Sequence, residues 1–224
     1  LEVTQWDYHD SDDMGALKMD MLSIEALDKI RKTMDLLIKD GRMEWKGSLK
    51  QTYFDTIHPD VLDYDRKLWE PTWDNKVLDV FQLDTPVGKQ AMRNAKPEEV
   101  REAAALNSLM RLMATESGEM PLDKYTRFKK NIQLWYEELA KYNIPQEEIP
   151  LLEKHYLPSS GVPNTQEELM ILLMDPEICG FTETEANGAR KIIGKKLMDK
   201  IPELRQKVFD QAVCSHNTIQ YIWD

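Results

Sequence analysis

Arg190, Lys191, Lys195, Lys196 and Lys200 gather in one short stretch, with Arg205 and Lys207 following. On a helix starting after Thr182, Lys191 and Lys195 are one turn apart and Arg190 adjoins them. Such a concentration of cations creates a local positive field suited to phosphates, although a charge run also serves as a solvated face. A smaller basic group is Lys124, Arg127, Lys129 and Lys130. Near the other end of the chain, Ala16-Leu17-Lys18-Met19-Asp20-Met21-Leu22 alternates apolar residues with Lys18 and Asp20. On a half-buried strand these two project together, and periodicity alone makes them an ion pair across one face. The acidic run Asp7, Asp10, Asp12, Asp13 lacks the spacing and terminal Glu of a calcium loop, so it reads as a solvated loop. His9, His58, His155 and His216 have no ligand-spaced partner, and the sequence holds no Gly-rich phosphate loop ending in Lys-Ser/Thr.

The elements that must position these residues are mostly helical. Ile24, Leu27, Ile30, Met34, Leu37 and Ile38 recur at helical spacing, and Gly41 is placed to stop that helix. Residues 42–80, rich in Asp, Trp and Pro, read as ordered loops with short turns. Thr85-Pro86 is an N-cap followed by proline at the first helical position. Pro97-Glu98-Glu99 opens a helix whose stretch Ala103–Met113 is apolar on most sides and therefore buried. Leu122, Tyr125, Phe128, Ile132, Trp135, Leu139 and Tyr142 predict one long amphipathic helix ending near Asn143, its aromatics serving as core. Thr165-x-x-Glu168 and Thr182-x-x-Glu185 are capping boxes. A last helix is expected from Pro202, and strand only at Val3–Tyr8 and Ala16–Leu22.

The chain has 224 residues, 42% of them hydrophobic and 31% charged, enough apolar content for a real core. A net charge of -11 argues against coating nucleic acid by charge alone. No apolar run approaches the ~18 residues of a membrane span. Two cysteines, Cys179 and Cys214, exclude a disulfide scaffold and point to a reducing compartment. The chain begins Leu1-Glu2-Val3, without an initiator Met, and is expected to be a piece of something longer.

Several segments, taken in order, resemble the C-family replicative DNA polymerases, the family of the bacterial polymerase III alpha subunit. Thr4-Gln5-Trp6-Asp7-Tyr8-His9 followed by Gly15 to Leu22 resembles the family's entry motif and its leucine-x-lysine-x-aspartate palm strand, in a form closer to the PolC type. Val80-Phe81-Gln82-Leu83-Asp84-Thr85 with Gly88 resembles the phenylalanine-glutamine-leucine-acid-serine element. Lys96-Pro97 through Leu109-Met110-Arg111 is similar to a buried helix ending in a functional arginine. Gln166-Glu167-Glu168-Leu169-Met170 resembles the glutamine-glutamate helix. Gly180-Phe181-Thr182, Arg190-Lys191 and Gly194-Lys195-Lys196 resemble the start and the basic end of a fingers helix.

The resemblance implies a mainly α fold: a helical fingers region with a short β contribution from the palm at the N-terminus. It divides the chain into residues 1–40, the end of the palm with its catalytic strand and following helix, and residues 41–224, fingers incomplete at the C-terminus. Asp20 would be one of three palm carboxylates binding two magnesium ions for phosphoryl transfer, with Lys18 beside the triphosphate or metal. Arg190, Lys191 and Lys195 would contact the incoming triphosphate, with Arg111 supporting that pocket. Implied partners are the DNA primer-template, dNTP, the other palm segment, the thumb and, for the parent enzyme, a sliding clamp; a membrane is not among them. The parent would be a DNA-directed DNA polymerase, cytoplasmic in a bacterium or in a virus-infected bacterial host, and this piece alone inactive because the motif carrying the other carboxylates is not in it. The alternative from the charge balance is a non-catalytic acidic helical module that docks proteins.

Overall fold

A computed structural model describes residues 5–16, 24–61, 66–74, 76, 80–111 and 118–224. The chain divides into two compact units, residues 1–61 and 62–224.

The first unit carries α1 (Tyr8–Asp13), α2 (Glu25–Lys39) and α3 (Leu49–Thr56). Its expected opening strand is overturned in part, because Tyr8 begins a helix and no strand occurs among the described residues. Asp7 is the reason: its carboxylate accepts the Asp10 N–H at 2.9 Å and its carbonyl accepts the Ser11 N–H at 3.1 Å. A short acidic side chain that caps its own following backbone draws the chain out of an extended path. The second expected strand, Ala16–Leu22, lies outside the described residues from position 17 onward.

Helix α2 spans the predicted stripe and is closed by Asp40, with Gly41 at φ +71°, but of that stripe only Met34 is buried, while Ile24, Leu27 and Ile30 are exposed. Ion pairs one turn apart, Lys32–Asp28 at 2.7 Å and Lys29–Glu25 at 3.6 Å, line its solvated side. Helix α3 falls where only loops were expected. Its signal is Ser48-x-x-Gln51: the Ser48 hydroxyl accepts the Gln51 N–H, and buried Thr52 donates to the Ser48 carbonyl while accepting the Lys46 N–H.

The second unit runs α4 (Arg66–Trp73), α5 (Pro86–Ala95), α6 (Val100–Leu109), α7 (Pro121–Lys130), α8 (Gln133–Lys141), α9 (Ile149–Tyr156), α10 (Gln166–Met174), α11 (Glu183–Gly194), α12 (Ile201–Gln211) and α13 (His216–Trp223). Helix α5 packs on α4, α6 and α7, whereas α11 packs on α10 and α12, and α13 on α12. Between these groups lies one core with Leu106, Leu109, Phe128, Trp135, Leu139, Leu152, Ile178 and Ile219 fully buried. Thr85 caps α5 as expected, accepting the Gly88 N–H at 3.1 Å with Pro86 at the first helical position.

The single long helix expected from Leu122 to Tyr142 is two. Asn131 adopts an extended backbone (φ -151°, ψ 95°), and its side chain accepts the Gln133 N–H at 3.1 Å, starting α8 afresh. An unbroken helix satisfies the same periodicity, but the bend lets Tyr125, Phe128, Trp135 and Leu139 all enter the core while Ile132 stays outside. These aromatics are therefore packing residues. Helix α12 begins as predicted. Helix α13 was not foreseen; the Ser215 hydroxyl caps it by accepting the Thr218 N–H, and the Ser215 N–H and hydroxyl and the Thr218 hydroxyl all donate to Glu148.

Candidate phosphate-binding site

The hairpin of α10 and α11 carries the basic stretch, and its geometry is specified locally at each end. Thr165 and Glu168 form a reciprocal capping box at the start of α10, as Thr182 and Glu185 do at the start of α11. Between them, the Asp175 carbonyl accepts the N–H groups of Ile178, Cys179 and Gly180, and its carboxylate accepts that of Glu177. Lys207 reaches back from α12 to Glu185 at 2.9 Å. That ammonium, then hydrogen bonds from the Thr182 N–H and hydroxyl, holds the Glu185 carboxyl down to about 2. Thr182→Ala is expected to lower stability by about 1 kcal/mol, read as the shift in the denaturation midpoint. An unchanged midpoint would show that the box does not hold α11.

Helix α11 closes at Gly194, and the chain leaves through Lys196 at φ +52° as the Leu197 N–H returns to the Ile192 carbonyl at 3.0 Å. Lys191 and Lys195 are exposed here with no ion pair or hydrogen bond from their side chains among the described residues, and Lys200 is exposed at the start of α12. A helix C-terminus carries the negative end of the macrodipole, so any attraction for anions at this turn comes from these side chains. Arg190 is half-buried and fixed. Its Nε–H donates to Asn187 Oδ1 at 3.0 Å and an Nη1–H to Gln166 Oε1 at 2.8 Å.

Most of the other candidate cations are engaged elsewhere. Arg205 donates to Gln220 at 2.9 Å and lies over the Phe209 ring, and Lys207 is paired with Glu185. In the smaller group, Lys124 pairs with Glu138 at 2.7 Å and Arg127 grips Glu119 through two hydrogen bonds. Lys129 pairs with Glu102 and donates to the carbonyls of Ala95 and Lys96, closing the end of α5. Of that group, Lys130 is exposed and has no partner among the described residues. The free positive charge is therefore narrower than the sequence suggests.

Of the other candidates, Arg111 is exposed just past α6, in the part of the unit that packs through α5 and α7, and no described contact brings it to α11. Lys18 and Asp20 lie outside the described residues. Among the described residues no group of three or more His, Cys, Asp or Glu side chains is placed to hold a metal ion. No described helix is long and apolar enough to cross a membrane. Gln166 and Asn187 were missed: Asn187 sits one turn before Arg190, a usable signal, but nothing local links Gln166 to an arginine 24 residues away.

The described residues form a mainly helical domain in which capped helices lead to a cationic helix end flanked by an oriented arginine, the kind of domain that the resemblance to polymerase fingers implies. The chain belongs to the family described as bacterial DNA polymerase III alpha subunit finger domain, whose model matches residues 26–216. It is 43% identical, over 99% of its own length and 17% of the relative's, to a probable DNA polymerase, YorL, of Bacillus subtilis (strain 168). The same identity and coverage relate it to a DNA-directed DNA polymerase of Bacillus phage SPbeta. It is 30% identical to the DNA polymerase III subunit alpha of Aquifex aeolicus (strain VF5), over 94% of this chain and 16% of that one. The chain thus spans about a sixth of the length of these curated relatives.

Proposed function

We propose that the chain forms the fingers of a DNA-directed DNA polymerase and holds the triphosphate of the incoming dNTP through Arg190, Lys191 and Lys195. The observation that carries this reading is the end of α11: a guanidinium held by Asn187 and Gln166, and two exposed lysines, Lys191 and Lys195, whose side chains make no ion pair or hydrogen bond among the described residues. Arginine's planar fork suits two phosphate oxygens at once, and the lysines add mobile point charges that follow the phosphate chain. Arg111 would act from outside this cluster in the complete enzyme.

The parent enzyme would extend a DNA primer on a template. Magnesium, when bound, would supply charge neutralisation and activation of the primer hydroxyl. Asp20 would offer one ligand, with Lys18 beside the triphosphate or metal. The remaining palm and the thumb would complete the active site, and a sliding clamp would serve the parent. Relatives from a bacterium and a phage support a place in the bacterial cytoplasm or an infected host.

The test is titration of dATP into the chain at low salt, followed by NMR. Arg190→Ala with Lys191→Ala is expected to weaken binding at least about ten-fold, the loss of roughly 1.4 kcal/mol of charge-assisted contact. Binding indifferent to the pair of substitutions, or no binding by the unsubstituted chain, overturns the assignment.

A further inference from the structure

Arg190 makes two hydrogen bonds within the hairpin, and they differ in what they do. Asn187 lies one turn earlier on the same helix and fixes the Nε edge. Gln166 is the first residue of α10, on the neighbouring helix, and its Oε1 takes an Nη1–H at 2.8 Å. Of the five N–H donors of a guanidinium, these use two, and the remaining donors include both of Nη2. Those two, with the second N–H of Nη1, are the donors left for phosphate oxygens.

The place of Gln166 is itself specified. Its side chain lies along Gly194, where an added Cβ would come within 3.2 Å of Gln166 Nε2. Gly194 has an ordinary helical backbone, with no positive φ to demand glycine, so close approach by this amide is the physical use of a missing side chain there. The end of α11 thus provides a shelf on which the Gln166 amide rests while it holds Arg190.

We infer that Gln166 is a positioning residue for phosphate recognition: it holds the Arg190 guanidinium in its binding orientation before the triphosphate arrives, and Gly194 leaves the room it needs. The inference rests on the assignment of Arg190 to the triphosphate. An arginine side chain ordered in advance loses less rotamer freedom on binding, and that freedom is a substantial part of the cost of association. Gln166 is exposed, so its removal should leave the fold intact while releasing the arginine.

The experiment uses Gln166→Met, which keeps the length of the side chain but removes the acceptor, with dATP and inorganic triphosphate as probes. Roughly five-fold weaker binding of both is expected, at an unchanged unfolding midpoint. The Arg190 Nε–H resonance should lose its distinct shift and sharpen as the side chain becomes mobile. In an Arg190→Ala background, Gln166→Met should have no further effect, because the residue acts only through the arginine. Gly194→Ala should weaken binding in the same direction by displacing the amide. If Arg190→Ala weakens binding but Gln166→Met does not, or if the two losses simply add, the positioning role is wrong and the fingers assignment stands. If neither substitution changes binding, the assignment of Arg190 falls and takes the inference with it.

Discussion

Trp135→Ala is expected to lower the unfolding free energy by about 4 kcal/mol, a large part of the total for a domain of this size. Trp135 is completely buried, and its ring stacks near Tyr156 with centroids 6.1 Å apart. Its indole N–H donates to the Tyr221 hydroxyl at 2.9 Å, joining α8 to α13 across 86 residues of sequence. Truncation leaves a cavity and also orphans that hydroxyl, which burial has already pushed far above the ordinary tyrosine range. The surrounding backbone has little room to collapse. Gly161, at φ +80°, lies against the indole so closely that an added Cβ would sit 2.9 Å from its Cδ1 and 3.0 Å from Phe128 Cδ2. Trp135→Phe keeps most of the volume and should cost about half as much. Urea denaturation of the two variants decides the matter; a loss below about 1 kcal/mol for the alanine would mean that the core does not close around this residue.

Asp175→Asn should cost about 2–3 kcal/mol near neutral pH and should flatten the dependence of stability on acid. The Asp175 carboxylate is 3% exposed and receives Lys154 Nζ and His155 Nε2–H, each at 2.7 Å, besides the Glu177 N–H. Burial pushes this carboxyl up, but the hydrogen bonds from Lys154, Glu177 and His155 outweigh it and hold it down to about 2. The sign follows from the lowered value. The contribution is complete above the unfolded carboxyl's range near 4 and is lost as pH falls through about 2. Thermal unfolding between pH 5 and 2 should therefore show a steep segment in the unsubstituted chain that Asp175→Asn lacks. Parallel pH profiles would sink this account. Because Asp175 also organises the turn into α11, the substitution tests whether the hairpin that presents Arg190 is held at its base.

How legible each feature was depends on how far apart its partners are. The caps at Thr85, Thr165 and Thr182 each bind a backbone N–H three residues on, so four consecutive residue types suffice to announce them. Ser48 and Ser215 follow the same rule, at the starts of α3 and α13. The bend at Asn131 is harder: both a straight helix and a broken one keep the apolar stripe, and only the core decides which of the two buries Phe128 and Trp135 together. The expected strand at the N-terminus failed at Tyr8 because a capping aspartate outweighed the apolar and aromatic pattern around it.

The basic residues show the division most clearly. Family membership and the cationic end of α11 were legible in the linear order of motifs, because each motif is short and their succession is specific. Which cations remain available to a ligand was not. Lys124, Arg127 and Lys129 look as free on paper as Lys191 and Lys195, yet their carboxylate partners lie 8 to 27 residues away, on other segments. Arg190 likewise needs Gln166 from another helix to acquire an orientation. Local sequence determines where helices start, because the energies involved act within one turn. Which charge is neutralised, and which is held ready, depends on Coulomb and hydrogen-bond contacts between groups that only the packing of α10 on α11 and of α7 on α6, on α8 and on the segment before it brings within reach.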